Sequence, residues 1–448
     1  MAAGTVDWEP EASRPSVTDI LRAVAPRFVE AFPDQAVPHV QSTLAKLSLC
    51  RTAALGGRRY RCDRCVEECV VYNSCGDRNC PCCRGAKRAD WLDSAARLIL
   101  DGVPHYQVVF TLPKELSRLA LGNRRAIFNL LFRSAWSALQ ETIEAEHGYE
   151  PAALMVLHTW NQKLESHIHV HAVVPGGGPA LDGSGWRWSC RAGDSLPSGR
   201  YLVDADRLRA TYRRIFLKGL DRLHAADELK LEGEFAELRQ PDVWRAFIDS
   251  LQGTTWVSYI EAPPVADAHG ATVLKYLARY LTGGPISDGR IVSASASEVT
   301  ILAREGTKSG GDRKQVPVTL STLEFVRRWC LHILPKGFTK IRYYGGWSSP
   351  RRERNVMRCY YLLEEAGAPL AEDALVFGPF DAEPEVGASE TSCPECPRCG
   401  EPMIPQGVRV KPSWAAVMHS EQRPSWYRPV PGRRKLEPRP PSPLQSTA

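Results

Sequence analysis

Three histidines alternate with apolar residues in the segment HIHVHAVV (167–174). Successive side chains of a β-strand point to opposite faces, so His167, His169 and His171 all lie on one face of the predicted strand. A single histidine on an apolar strand is most often a core residue, but a row of three followed by PGGG is difficult to explain by packing. The pattern therefore predicts a strand that presents imidazoles to a metal ion.

The preceding segment, AALMVLHTW (152–160), reads as a second apolar strand, and only a short polar connection joins the two. This arrangement predicts a β-hairpin. Pairing of the strands would bring His158 to a metal ion held by His169 and His171. We therefore prefer His158 to His167 as the third ligand. Three imidazoles leave coordination positions open for water or phosphate oxygens, which is typical of a catalytic metal site.

Two tyrosines, Tyr276 and Tyr280, lie four residues apart in the predicted helix ATVLKYLARYL (271–281). On a helix their Cβ atoms are about 6 Å apart on one face. Tyrosines at this spacing usually belong to a core, but beside the histidine motif we interpret them as a pair of nucleophiles. Lys275 and Arg279 flank them and are candidates for holding DNA phosphates.

The expected chemistry is attack of a tyrosine on a DNA phosphate. A phenol with a pKa of about 10 is a weak nucleophile at neutral pH unless a base removes its proton. A metal ion at the scissile phosphate would neutralise charge and orient the phosphorus. Attack would leave a 5′-phosphotyrosine and a free 3′-hydroxyl, which conserves the bond energy for rejoining. We expect no nucleotide cofactor, because the phosphate-binding pattern GxxxxGK[ST] is absent from the sequence.

The composition sets broad limits on location and partners. A net charge of +6 permits a nucleic-acid partner without requiring one. The sequence has no apolar run long enough to span a membrane, and it begins with a polar, acidic segment that does not resemble a secretion signal. These features predict a protein of the bacterial cytosol, associated with the nucleoid and not with a membrane. In the cytosol, clustered cysteines bind metals more often than they form disulfides.

The sequence contains fourteen cysteines, and eight of them fall in one short block. Within this block, Cys62-x-x-Cys65 and Cys80-x-x-Cys83 form the predicted ligand set of a structural zinc ion, with Cys75 as an alternative ligand. A module this small would hardly fold without its metal.

A second group of cysteines, Cys393, Cys396 and Cys399, lies in the segment CPECPRCG. No cysteine follows it, so His419 is the only candidate for a fourth ligand among the residues that follow. We interpret this group as a zinc-ribbon remnant.

The order of predicted elements favours an α+β fold. A β-α-β-β-α-β order suggests an antiparallel sheet with helices packed on one face, a split βαβ plan of ferredoxin or RRM type. One predicted helix carries Arg214, Lys218 and Arg222 on a single ridge, which is either a DNA-binding surface or a solvated face. The predicted domains are a helical lead-in (1–47), a zinc-binding module that binds DNA (48–92), a catalytic domain (100–347) and a proline-rich, largely disordered tail that includes the zinc-ribbon remnant (359–448).

Together these motifs resemble a known family, the two-tyrosine rolling-circle transposases of the insertion-sequence-ninety-one type. The resemblance covers roughly residues 45–347 and rests on the histidine motif, the tyrosine pair, the upstream cysteine block and five further segments. These segments are CRTAALGG (50–57), FTLP (110–113), LHTW (157–160), HVHAVVPGGG (169–178) and LPKGFTKIRYYG (334–345).

The resemblance implies a nuclease domain of the HUH type, named for the pair His169 and His171 on either side of an apolar residue. It implies that these histidines bind Mg²⁺ or Mn²⁺ and that Tyr276 and Tyr280 are the nucleophiles. It also implies transposition of an insertion sequence through single-stranded DNA at the element ends and at the target.

Two other functions fit the same residues. A plasmid relaxase or replication initiator uses the same nicking and joining chemistry. A non-catalytic, zinc-dependent regulator would bind DNA while its histidines and tyrosines are structural. The upstream cysteine module and the absence of a helicase phosphate-binding loop favour the transposase.

Overall fold

The protein is described by a computed structural model that covers residues 15–83, 95–190, 201–263, 284–304, 314–367 and 393–428. Within these ranges no helix is both long and apolar enough to cross a membrane. The described strands are β1 (Gly57–Arg61), β2 (Glu68–Tyr72), β3 (His105–Thr111), β4 (Ala152–Trp160), β5 (Ser166–Pro175), β6 (Gly177–Pro179), β7 (Trp186–Trp188), β8 (Val257–Glu261), β9 (Ile291–Ala294), β10 (Glu298–Arg304), β11 (Gln315–Ser321), β12 (Ile341–Gly345) and β13 (Ile404–Arg409). The described α-helices are α1 (Val17–Ala31), α2 (Pro38–Ser48), α3 (Lys114–Gly122), α4 (Arg124–His147), α5 (Ala205–Ala225), α6 (Pro241–Gln252), α7 (Thr322–Cys330), α8 (Arg352–Glu365) and α9 (Trp414–Met418).

A five-stranded sheet forms the centre of the molecule. Its strand order is β12-β4-β5-β3-β8, and every neighbouring pair is antiparallel. The predicted hairpin of β4 and β5 is confirmed. The α+β class with an antiparallel sheet is therefore confirmed.

One face of this sheet is covered by long helices. Tyr106, Val108 and Phe110 of β3 point to this face and pack in one core with α4 and α5, where the ring of Phe110 lies 5.0 Å from that of Tyr212. Burial of each such large side chain stabilises the fold by roughly 1.5–3 kcal/mol. The helix α4 ends at His147 and is capped by Gly148, whose left-handed φ of 67° suits a residue without a side chain.

The other face is covered only in part. Ala152, Leu154 and Val156 of β4 pack there against Trp347 and the helix α8. The expectation of helices on one face only is therefore wrong. The physical reason lies in β4, whose first eight residues are all buried, so that both faces of the strand are covered. A strand covered on both faces is apolar in sequence without alternation.

A second core joins the N-terminal helices to the three-stranded sheet β11-β10-β9 and to α7. The helix α1 begins with a capping box between Ser16 and Asp19 and continues past Pro26. Proline in a helix interior costs about 3 kcal/mol, but Val24 and Phe28 on either side of it are buried in this core. Burial of this apolar face therefore holds α1 as one helix despite Pro26.

A third sheet links the two ends of the chain. Its order is β13-β1-β2, and β13 pairs with β1 in antiparallel register from Gly57 opposite Arg409 to Arg61 opposite Ile404. Part of the predicted disordered tail, residues 393–428, is thus folded against the N-terminal module. All six residues of β13 are exposed, so the sequence of this strand carries no burial pattern from which it could be recognised.

Candidate active site

The central hairpin brings three histidines together on the partly covered face of the sheet. His158 of β4 is directly opposite His169 of β5, and His171 follows two residues later on the same face. The ring centroids of His158 lie 5.4 Å from His169 and 4.6 Å from His171, and those of His169 and His171 are 4.8 Å apart. One ring nitrogen from each residue falls within 4.8 Å of the others. We call these residues the histidine trio.

His167 does not join this trio, although its ring centroid is 5.0 Å from that of His169. It lies at the start of β5 and is exposed, whereas each member of the histidine trio is at most 9% exposed. Of the two candidates for a third ligand, the structure places His158 with the HUH pair and leaves His167 at the rim.

Hydrogen bonds select the nitrogens that can bind a metal. The Nδ1 of His169 donates to the carbonyl oxygen of His167 at 2.9 Å, which leaves Nε2 as the ligand atom. The Nδ1 of His171 lies 2.9 Å from the side-chain nitrogen, Nε2, of Gln107 on β3. If the amide turns its oxygen to the ring, Nδ1 donates and Nε2 again becomes the ligand atom.

Two members of the histidine trio, His169 and His171, are kept in their neutral form by burial. Burial, together with the positive charge of Lys340, lowers the pKa of His171 to about 4. Burial and the neighbouring histidines hold the pKa of His169 well below its ordinary value. Neutral imidazole is the form that binds metals, so at pH 7 the donor set fits a divalent transition-metal ion.

A tryptophan and a lysine flank the histidine trio. Trp160 stacks on His158 with ring centroids 4.7 Å apart, and the ammonium of Lys340 lies 5.1 Å from the centroid of the Trp160 ring. Lys340 directly precedes β12, and its carbonyl accepts a hydrogen bond from the N–H of Leu157 on β4. The site therefore combines nitrogens that could hold a metal ion with a nearby cation suited to phosphate. Lys340 lies in the segment LPKGFTKIRYYG, but nothing in its local pattern indicated a place beside the histidines.

The predicted nucleophiles Tyr276 and Tyr280, and their neighbours Lys275 and Arg279, lie outside the described residues. Their roles stay predictions. The strand before them, β8, carries Tyr259 in the same cross-strand row as Val109 of β3 and His171 of β5. Tyr259 is 41% exposed and lies on the sheet face that carries the histidine trio. A variant at Tyr259 can therefore serve as a control for variants at the predicted nucleophiles.

The predicted basic ridge, Arg214, Lys218 and Arg222, lies on the opposite side of the molecule from the histidine trio. These residues are exposed on α5, which packs on the Tyr106–Phe110 face of the sheet. Arg214 pairs with Glu141 of α4 at 2.5 Å, and Lys218 lines a cleft of about 970 Å³ between α5 and α6. The sheet therefore separates this ridge from the histidine trio.

The predicted zinc ligands are divided between two groups of cysteines. Cys80 and Cys83 converge with Cys50 and Cys75, and one sulfur from each lies within 4.8 Å of the others. The sulfur of Cys50 is 3.5 Å from that of Cys80 and 3.6 Å from that of Cys83. These separations are far beyond a disulfide bond and approach the edge of a zinc–sulfur tetrahedron, about 3.8 Å for bonds of about 2.3 Å. We call this group the Cys50 cluster.

Cys62 and Cys65 converge instead with Cys396 and Cys399, and we call this group the Cys62 cluster. The joint set of Cys62, Cys65, Cys80 and Cys83 therefore does not form, because the β1–β2 hairpin carries the first pair to its tip. His419 does not join Cys396 and Cys399, and its Nδ1 donates to the carbonyl of Ala415.

Comparisons with known proteins agree with this organisation. Residues 20–112 match the family model described as "Transposase zinc-binding domain", and residues 152–355 match the model described as "Putative transposase". "Putative transposase y4qJ" of Sinorhizobium fredii is 35% identical over 394 residues, which cover 86% of this chain and 93% of that protein. "Transposase for insertion sequence element IS801" of Pseudomonas savastanoi pv. phaseolicola is 27% identical over 351 residues, 75% of this chain and 80% of that protein. The chain belongs to the IS91-type transposase family. No solved structure matches the transposase.

Family membership places the two sites in context. The whole Cys50 cluster lies inside the matched zinc-binding domain, and the two observations together support structural zinc in this module. The histidine trio lies inside the matched transposase region. Transposases act on DNA by breaking and joining phosphodiester bonds, so the general activity is that of a nuclease and transesterase. Cys396 and Cys399 lie beyond both matched ranges.

The side chain of Gln107 is expected to tune metal binding at the histidine trio. Partners that orient a metal-binding histidine typically change affinity by about 10- to 100-fold when they are removed. Gln107→Met keeps the volume but loses the hydrogen bond to His171, so the dissociation constant for Mn²⁺ should rise by about this factor in calorimetric titration. In Gln107→Glu a carboxylate oxygen accepts from Nδ1 and leaves Nε2 free for the metal, so this variant should bind at least as tightly as the wild type. Equal affinity in wild type and Gln107→Met would show that the contact does not orient the ring.

Proposed function

We propose that the transposase nicks and rejoins single-stranded DNA at the ends of its insertion sequence through a 5′-phosphotyrosine intermediate, in a rolling-circle type of transposition. The observation that supports this proposal is the histidine trio: three imidazoles, held at one point by strand register on the partly covered face of the sheet. Family membership supports the coarser part of the proposal, which is DNA transposition.

The donor set of the histidine trio fits a catalytic divalent ion. When bound, such an ion would neutralise charge on the scissile phosphate and favour in-line attack. Imidazole nitrogens suit transition metals better than Mg²⁺, which prefers oxygen ligands. Of the two expected ions, we therefore propose Mn²⁺ as the more effective at equal concentration.

Lys340 would hold the substrate beside the histidine trio. Its ammonium lies over Trp160, whose ring stacks on His158, so a DNA phosphate at the histidines would be close to this positive charge. Attraction of a phosphate is strengthened in a site that is partly shielded from water. We assign Lys340 a substrate-positioning role, with no part in proton transfer.

The proposed reaction exchanges one phosphodiester bond for another. The phenolic oxygen of Tyr276 or Tyr280 attacks the phosphorus, which forms the tyrosine–phosphate bond and breaks the bond to the 3′-oxygen. The phenolic proton passes to a base, and the departing 3′-oxygen takes up a proton to become a hydroxyl. The reverse attack by a 3′-hydroxyl rejoins DNA and frees the tyrosine, so the cycle needs no nucleotide hydrolysis. Two tyrosines would allow two successive transfers.

Nicking of labelled oligonucleotides that carry the element ends tests this proposal. The transposase should cut the single-stranded form at one position in the presence of Mn²⁺, more slowly with Mg²⁺, and not with a chelator. The product should have a free 3′-hydroxyl. Cleavage of duplex DNA but not of single-stranded DNA would contradict the proposal, as would cleavage that persists in the presence of the chelator. Tight binding without any cleavage would favour the non-catalytic regulator.

A replication initiator or relaxase remains the second candidate because it shares this chemistry. The matches to two transposase domain models, one over the cysteine module and one over the region of the histidine trio, favour transposition. We also propose that the basic ridge on α5 binds DNA on the face of the sheet that lies away from the histidine trio.

A further inference from the structure

The chain forms two cysteine turns of the same geometry at distant positions in its sequence. In each turn the first cysteine donates its N–H to the carbonyl of the residue five positions later, and its own carbonyl accepts from the residue four positions later. The partners are Glu67 (2.8 Å) and Val66 (2.9 Å) for Cys62, and Glu401 (2.8 Å) and Gly400 (2.8 Å) for Cys396. In both turns the second cysteine, Cys65 or Cys399, is the third residue after the first. The segments CDRCV and CPRCG therefore present their sulfurs in the same way.

The backbone at the end of each turn supports this equivalence. Gly400 has a φ of 75°, and Val66 at the corresponding position has a φ of 57°. A left-handed conformation suits glycine but is a genuine outlier for a β-branched residue. Such strain persists only where the surrounding structure requires it, and the turn requires it in order to bring Cys62 and Cys65 to one point.

The two turns face each other across the third sheet. Antiparallel pairing of β1 with β13 places Arg61 opposite Ile404, directly beside the two turns. One sulfur from each of the four cysteines of the Cys62 cluster falls within 4.8 Å of the others, and those of Cys62 and Cys399 are 3.6 Å apart. All four are free thiols. The Sγ–Sγ distance is close to the tetrahedron edge of about 3.8 Å expected around zinc.

We propose that Cys62, Cys65, Cys396 and Cys399 bind a second structural zinc ion, which joins the C-terminal segment to the N-terminal zinc module. Four thiolates without an open position make a closed, structural site. The buried residues around it are few, Tyr60 and Met403 besides the cysteines Cys62 and Cys396, and β13 is exposed along its length. Farther along the segment, Val417, Met418 and Tyr427 pack against Ala45 and Leu55. Apolar burial beside β13 itself is small, so the metal fixes the Cys396 turn to the Cys62 turn. The zinc module therefore extends beyond residue 112 and includes a strand from the end of the chain.

Metal analysis of the full-length protein tests this site. The double variant Cys396→Ser/Cys399→Ser should contain one zinc ion per chain fewer than the wild type, with protein and zinc measured on the same sample. The matched control is Cys393→Ser, which removes a cysteine of the same segment outside the four-sulfur group and should keep the wild-type zinc content. Equal zinc content in the double variant and the wild type would overturn the proposal.

Thiol alkylation of the wild-type protein decides the question if the double variant does not fold. Cys393 and Cys399 are similar in exposure, since both are intermediate, but only Cys399 belongs to the Cys62 cluster. In the native protein we expect a reagent, followed by peptide mass analysis, to modify Cys393 while Cys396 and Cys399 are protected at least tenfold. A strong chelator should abolish that protection. Equal modification of Cys393 and Cys399 before the chelator is added would overturn the proposal.

Discussion

His169→Ala should lower the rate of metal-dependent DNA nicking by about a thousandfold or more. The substitution removes one of three nitrogens that converge within 4.8 Å, and the remaining pair cannot hold an ion in the same position. A metal ion typically contributes several kcal/mol to a transition state with phosphate charge, and about 4 kcal/mol corresponds to about a thousandfold in rate. The measurement is the single-turnover rate of nicking at saturating Mn²⁺.

His167→Ala is the matched control for this result. His167 lies on the same strand and the same face, but it is exposed and outside the histidine trio. Its removal should leave the rate within a few-fold of the wild type, and both variants should melt at similar temperatures. A His169→Ala protein that is folded and nicks at the wild-type rate would show that the histidine trio is structural.

Cys80→Ser should unfold the zinc module and weaken DNA binding generally. Cys80 is fully buried, and its sulfur is 3.5 Å from that of Cys50 in the Cys50 cluster. Structural zinc contributes about 10–16 kcal/mol in small zinc-dependent modules, far more than one core side chain contributes. We expect loss of at least one zinc ion per chain and loss of the module's cooperative melting transition, measured by metal analysis and by circular dichroism.

Cys82→Ser provides the control for this substitution. Cys82 lies between two members of the Cys50 cluster in sequence, but its sulfur contacts the hydroxyl of Thr18 at 3.3 Å and is not part of the cluster. Its variant should retain zinc and melt close to the wild type. Full zinc content and an unchanged melting transition in Cys80→Ser would reject the ligand set.

The histidine trio could be predicted from the sequence because its geometry is local. Alternation along β5 places His169 and His171 on one face, and a short hairpin connection fixes His158 opposite His169. Two residues at the site could not be predicted in this way. Gln107 and Lys340 come from segments that are distant in sequence and meet the histidines only through strand order.

The division of the cysteines into two clusters also could not be predicted from the sequence. Spacing indicates that Cys62-x-x-Cys65 is a ligand pair, but it does not indicate which other pair completes the tetrahedron. The partner pair at Cys396 and Cys399 is reached only because β13 returns to pair with β1. That strand is exposed, so its sequence carries no periodic burial signal. Cys50, which follows α2, lacks a neighbouring cysteine that would have identified it as a ligand.

The most direct test of the central claim is detection of a covalent protein–DNA adduct on a denaturing gel. Single-stranded oligonucleotides from the element ends would be incubated with Mn²⁺ and with wild type, Tyr276→Phe, Tyr280→Phe or the double variant. Tyr259→Phe serves as the control, since Tyr259 is an exposed tyrosine on the sheet face that carries the histidine trio. We predict an adduct for the wild type and for Tyr259→Phe, a loss in at least one single variant and no adduct in the double variant. An adduct that survives in the double variant, or nicking by the wild type with no adduct at any time, would contradict a tyrosine–phosphate intermediate at these residues.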